Sequence, residues 1–300
     1  MTKQFRVSST LPRKLQELGL SPETALRRAG LPMGLFKLEK ILVCTEDFFA
    51  LHRGIAESSN DPDLGLKLGT EERVERYDPV KIAAISARSF RDAVERLSRY
   101  KQLTCPEEIR VVERGNESAV QFVWLLAHEK EPPLLVDVCF AWIVAMAHRG
   151  IGRPLSPKRV EFQRAPAHRQ MYERHFRCAV KFKADQNKLI FSKGDMELPF
   201  VTHNADLLAT VAPQLEAELT EQLAHETFTE QAKGTPNPHS AMSCTSRSYF
   251  GSPRVLVSCT TMVRALPQDK RRFLTEARAT PQPIFGLMTN SSTVTLESST

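Results

Sequence analysis

The chain has 300 residues, 41% of them hydrophobic and 25% charged. That balance excludes a collagen, a coiled coil or a wholly disordered chain and suffices for one large or two modest cores. The formal charge of +6 sits mainly at one end: from Gly234 onward there are seven Arg or Lys against three Asp or Glu, whereas residues 1–233 hold 34 basic and 32 acidic groups. The body is therefore not a polycation, and any nucleic-acid argument must come from elsewhere.

The longest apolar stretch, Val138 to Ala147, is about half the roughly 20 residues a bilayer needs and follows Asp137. It reads as a buried core helix, so no membrane partner is expected. The N-terminus is basic but has no apolar signal region, and the chain reads as cytoplasmic. Cys44, Cys105, Cys139, Cys178, Cys244 and Cys259 lie far apart without a CxxC pair. That excludes a zinc ribbon and a thioredoxin-like motif and leaves most of them as small core residues.

In chain order, Leu11, Leu15 and Leu18, then Ala25, Leu26 and Ala29, recur at helical spacing, with Ser21-Pro22 as an N-cap and first-turn proline and Gly19 and Gly30 as terminators. A second amphipathic helix starts at Thr45 and gathers Phe48, Phe49, Leu51, His52 and Ile55 on one face until Asn60-Asp61-Pro62 breaks it. Helices follow over Pro79 to Ala87 and Ser89 to Leu103, the latter with Phe90, Ala93, Val94, Leu97 and Tyr100 as its buried stripe. From Glu108 the period becomes two: Ile109 to Glu113 and Ala119 to Leu125 flank the turn dipeptide Gly115-Asn116 and predict a hairpin. The apolar helix opens at Pro132-Pro133. Short strands follow at Arg159 to Phe162, Ala179 to Phe182 and Lys188 to Phe191, with a helix from His168 to Phe176 between the first two. A long helix then runs from about Thr202 to Lys233 with Leu207, Leu208, Val211, Leu215, Leu219 and Leu223. Helices first, then a mainly antiparallel sheet with inserted helices and a long closing helix, is an α+β pattern.

At Gly234 the composition shifts. Thr235-Pro236-Asn237-Pro238 is a linker signal, and 20 of the residues from there to Thr300 are Ser or Thr. The chain is thus expected to divide into a folded body, 8–233, and a disordered or degenerate tail, 234–300.

The body resembles the arabinose-binding sensing and dimerisation domain of the AraC/XylS regulators. Asp61-Pro62-Asp63-Leu64-Gly65-Leu66-Lys67-Leu68-Gly69 is similar to that family's DPxLGLRLG element, and Ser86 to Tyr100 to its SxTLREALERLARY helix. Pro157 to Phe162, His168, Tyr172, Phe176, Val180-Lys181-Phe182, Asn187 to Phe191 and Leu198-Pro199 follow in the family's order. Singly, each has a plain physical reading as breaker, amphipathic helix or strand. The resemblance implies a ligand-responsive regulator with an unidentified small-molecule effector, a homodimer, and a C-terminal helix-turn-helix pair that reads DNA. Past Lys233 the resemblance stops, so DNA binding by this chain is in doubt. Back-translation of Tyr249 to Cys259, read two bases later, permits LRKPEGTSFL, similar to the missing element, and this suggests a frameshift.

No GxSxG, GxxxxGKS or GxGxxG occurs, which argues against an enzyme and implies no cofactor. His168 and His175 share a helical spacing but lack carboxylate or thiolate company, so no metal site is expected. A small-molecule pocket is the better prospect. Trp124 and Trp142 are its candidate contacts, and His128 and His148, which end apolar segments, join them, although core packing or a surface tip explains each more simply. Lys270-Arg271-Arg272 offers only weak, salt-dependent DNA contact. For dimerisation, Leu208, Leu215, Leu219 and Leu223 form a stripe that either packs on the body or pairs with a partner helix, and the resemblance favours pairing. A stand-alone small-molecule-binding protein or an inactive heterodimer partner is the competing reading.

Overall fold

Ser21 caps a helix as its sequence predicts: its Oγ accepts the Thr24 amide at 3.2 Å, Pro22 opens the helix, and Gly30 closes it in the left-handed region at φ 68°. The structure is a computed structural model and describes residues 4–70 and 78–233. Two short helices, α1 (Leu11–Glu17) and α2 (Pro22–Ala29), are joined by the segment containing Gly19 and lead to α3 (Thr45–Glu57). Gly54 of α3 lets it approach α2 so closely that a Cβ there would collide with the Ala25 carbonyl oxygen. Two strands that the periodicity does not reveal, β1 (Phe5–Val7) and β2 (Ile41–Val43), pair antiparallel and bury Phe5, Val7, Ile41 and Val43. Phe5 and Val7, ahead of residue 8, pack in the same core cluster as α2 and α3.

After α3, residues 64–69 form a further short helix, α4 (Leu64–Gly69), despite two glycines. The glycines are the reason it docks. A Cβ on Gly65 would meet the Asp137 Cβ at 2.6 Å, and one on Gly69 would collide with the Val138 carbonyl oxygen. Both neighbours belong to α7 (Pro133–Ile151), the apolar helix at the centre of the body. Tertiary packing on α7 overrides the poor intrinsic propensity of the segment.

The pair α5 (Pro79–Ile85) and α6 (Phe90–Lys101) follows, and all five residues of the expected stripe, Phe90, Ala93, Val94, Leu97 and Tyr100, are buried. Then β3 (Glu107–Arg114) and β4 (Glu117–Trp124) form the expected hairpin, turning at Gly115 with φ 56°. They belong to a sheet of order β3-β4-β7-β5-β6, completed by β5 (Arg159–Glu161), β6 (Ala179–Lys181) and β7 (Lys188–Ser192). Only β5 with β6 runs parallel. Between them lies α8 (Arg169–Phe176), and Arg169 donates to the Val180 carbonyl of β6. Val120, Leu189 and Val160 stand side by side in register and face the core with Ile109. Against them α7 presents Phe140, Ile143 and Val144, and burying a phenylalanine such as Phe140 contributes about 2 kcal/mol. Although α7 is long and apolar enough by composition to cross a membrane, most of it is buried inside this fold.

A capped turn, α9 (Lys193–Met196), leads to α10 (Ala205–Lys233). Here lies the expected leucine stripe. Leu208, Leu215 and Leu219 are buried in their own chain, α10 packing against α5 while Glu216 accepts from Arg99 and Tyr100 of α6 at 2.7–2.8 Å. Within one chain their apolar area is already largely covered. Leu223 lies outside the described side chains, as does the whole of residues 234–300.

Candidate functional site

Where β4 ends, the alternation of the strand turns Trp124 toward the N-terminal helices. Its indole meets Phe49 edge-on at 5.4 Å between ring centroids and lies near Phe5 at 5.8 Å and Phe48 at 6.2 Å. This aromatic group ties β1 and α3 to the sheet. The indole Nε1–H is buried and finds no acceptor among the described residues.

Beyond Trp124 the chain loops to α7, and this loop forms one wall of an open groove of about 490 Å³ lined by Gln121, Phe122, Trp124, His128 and Lys130, with Gln186 and Gln163 opposite. A second cavity of about 310 Å³ shares Lys130, Glu131, Gln163 and Asn187 with it. Both volumes fall in the range of small-ligand sites. Asn187 organises the junction. Its Nδ2 donates to Glu131 Oε1 at 2.5 Å and its Oδ1 accepts the Gln163 amide at 2.8 Å, joining three loops that are far apart in sequence. Gln121 Nε2 donates to Gln186 Oε1 at 3.2 Å, and Arg53 pairs with Glu129 at 2.8 Å. Aromatic floor, carboxamide walls and a few charges at the mouth suit a small ligand with both apolar and polar parts.

The four candidate contacts separate. Trp124 and His128 line the same groove. His148 lines a different cleft of about 380 Å³ near the end of α7, and its Nε2–H donates to the Leu155 carbonyl at 2.7 Å. Trp142 is half-buried on α7 with the Lys101 ammonium 5.5 Å and the Lys81 ammonium 5.9 Å from its ring centroid. Lys101 is itself held by Glu107 at 2.5 Å, and burial pushes the neighbouring Cys105 thiol up to about 12. That thiol is an unreactive core group. Trp142 and His148 therefore do not share the Trp124 groove.

Beside the second cavity stands a buried polar cluster. Arg164 pairs with Asp137 of α7 at 2.5 Å, donates to the Pro133 carbonyl at 3.0 Å, and stacks on Phe162 at 4.1 Å. Tyr172 of α8 donates to the other Asp137 oxygen at 2.8 Å. Burial raises the Asp137 pKa, opposed by Arg164 and Tyr172. His175 stays neutral more readily than a free histidine, chiefly through burial and secondly through His148. Among the described residues no group of three His, Cys, Asp or Glu side chains could hold a metal ion.

Sequence reasoning missed Glu131, Gln163, Gln186 and Asn187. Only Asn187 carried any signal, as the first residue of a strand motif. Asp137 was visible as a lone charge in an apolar helix.

A mainly antiparallel sheet packs on one apolar helix, with a helical N-terminal lobe in front and a polar groove at its edge. The chain belongs to the AraC transcription-regulator family: residues 19–200 match the family described as the arabinose-binding domain of AraC transcription regulator, N-terminal. Among solved structures it is similar to the crystal structure of the transcriptional regulator CdpR from Pseudomonas aeruginosa, at 16% identity and a TM-score of 0.50 over 70% of this chain. The match covers 64% of that structure's chain, and the likeness is one of fold. No curated protein sequence matches.

Proposed function

We propose that this chain is the effector-sensing and dimerising part of an AraC-family regulator, and that the groove walled by Trp124 and His128 receives the effector. The observation that carries the reading is that groove itself: an aromatic floor and a polar rim brought together by the sheet of a sensing-domain family. Its lining of rings and carboxamides, with a histidine and a lysine among them, suits holding a small molecule.

In this reading the protein is cytoplasmic, acts as a homodimer and responds to a small molecule. The dimer contact lies away from the buried leucines of α10. The body 8–233, extended at its start by β1, is the sensor. Residues 234–300 stand in place of the family's helix-turn-helix domain through a shift of reading frame, so this chain lacks sequence-specific DNA binding. A stand-alone binding protein or an inactive heterodimer partner would use the same groove and differ only in having no role at a promoter.

A polarisation titration of the full chain against its own upstream DNA, beside a scrambled duplex and at two salt concentrations, tests the DNA half of this reading. The expected result is no binding, or weak binding lost equally from both duplexes as salt rises. Tight, sequence-selective binding would overturn it, as would a gene with no second open frame encoding the missing element.

A further inference from the structure

Charge in the folded body collects at two places. Residues 164–188 hold seven Arg or Lys against two Asp or Glu, and α10 holds six Asp or Glu against Lys233 alone, a surplus of five each way. The rest of residues 1–233 carries 26 basic and 24 acidic groups. The body is thus nearly neutral as a whole and strongly polar by position.

The two poles sit at opposite ends of the sheet. β6 is its last strand, and α8 packs on β6. α10 packs on α5 and pairs Glu216 with Arg99 of α6, and α6 lies along β3, the first strand. Four strand spacings, about 19 Å, separate the outer strands, which is more than a Debye length in physiological salt, so the poles neutralise each other only weakly within one chain.

Both poles are uncommitted. Arg174, Arg177, Lys181 and Lys183 are exposed and hold no partner among the described residues, whereas Arg164 and Arg169 are answered by Asp137 and Glu173. On α10, Asp206 and Glu218 are likewise exposed and unanswered among the described residues. Between them Ala209, Pro213 and Ala217, four residues apart on one exposed face, are small and let another surface come close. That face is not the one that carries the buried Leu208 and Leu215.

We propose that the body pairs with a second copy of itself through these poles, α10 of one protomer lying along α8 and β6 of its partner. Poles at opposite ends meet their complements when two copies lie antiparallel, and a two-fold axis makes both contacts at once. This inference rests on the homodimer of the proposed function.

Sedimentation equilibrium of the full chain tests it. The wild type is expected to dimerise at about 0.05 M salt and to weaken about tenfold or more at about 0.5 M. Arg174→Glu/Arg177→Glu and Asp206→Lys/Glu218→Lys are each expected to dimerise about tenfold or more less tightly, since the two-fold places every reversed charge in the interface twice. Mixed, the two variants are expected to recover a heterodimer. Arg27→Glu/Arg28→Glu, the same change of net charge at exposed positions of α2, should leave the dimer intact. Melting temperatures show whether each variant is folded, and if the reversal on α8 unfolds the chain, Arg174→Gln/Arg177→Gln carries the test. A dimer indifferent to salt and to both reversals, or no recovery in the mixture, overturns this interface and leaves the homodimer reading standing. A wild type that stays monomeric overturns both. Assemblies that grow past the dimer with concentration would mean an open head-to-tail contact and overturn the two-fold. Duplex DNA bound by a monomer and released by Arg174→Glu/Arg177→Glu would give the basic pole to a nucleic acid and overturn the proposal.

Discussion

Arg164 reaches Asp137 at 2.5 Å while its guanidinium stacks on the Phe162 ring at 4.1 Å. The pair fastens the loop after β5 to the central helix, and Tyr172 completes it from α8. Removing Arg164 leaves a buried carboxylate with only the tyrosine for company. Arg164→Ala is expected to destabilise the fold by about 3 kcal/mol, and chemical denaturation measures it. A loss below about 1 kcal/mol, the size of an exposed pair's contribution, would mean that the cluster is dispensable.

Gly69 is held against the Val138 carbonyl, leaving no room for a methyl group. Gly69→Ala should therefore cost about 3 kcal/mol through forced separation of α4 from α7. Gly34, with nothing within 4 Å of its Cβ position, is the control, and Gly34→Ala should be nearly neutral. Equal effects in denaturation midpoints would refute the close-approach account of this motif.

The leucines of α10 distinguish intramolecular packing from pairing. Leu215 is 4% exposed within one chain, so Leu215→Ala should lower stability by about 3 kcal/mol at every protein concentration. A melting temperature that rises with concentration in the wild type, with dimer lost in the variant, would restore the pairing role.

His52 is buried and donates Nδ1–H to the Phe48 carbonyl at 2.8 Å, and burial lowers its pKa to about 4. The folded-state value lies below the unfolded one, so its contribution is fully present above about pH 6.5 and is lost as pH falls toward 4. A histidine held neutral to that depth makes the loss about 3 kcal/mol. Stability measured at about pH 7 and about pH 4, on either side of that window, should fall less steeply in His52→Leu than in the wild type. An unchanged slope would show that other groups carry the acid sensitivity.

How much of the fold was legible in the sequence depends on range. Helices such as α6 announce themselves because Phe90, Ala93, Val94, Leu97 and Tyr100 repeat on one face, and the β3–β4 hairpin because Gly115-Asn116 sits between alternating runs. Phe5–Val7 and Ile41–Val43 were invisible, since three residues are too few to show a period and the pairing is non-local. α4 was hidden by its own glycines, whose reason is a neighbour in α7. At the groove, Trp124 and His128 lie four residues apart and could be suspected together. Gln163, Gln186 and Asn187 arrive through the sheet, and nothing local marks them.

The measurement that tests the central claim most directly is a thermal-shift screen of the full chain with small metabolites, repeated on Trp124→Phe and His148→Ala. The account predicts a compound that raises the melting temperature of the wild type and of His148→Ala by several degrees but has lost most of its effect on Trp124→Phe. A compound whose effect survives in Trp124→Phe and vanishes in His148→Ala would place the effector in the other cleft and contradict the account.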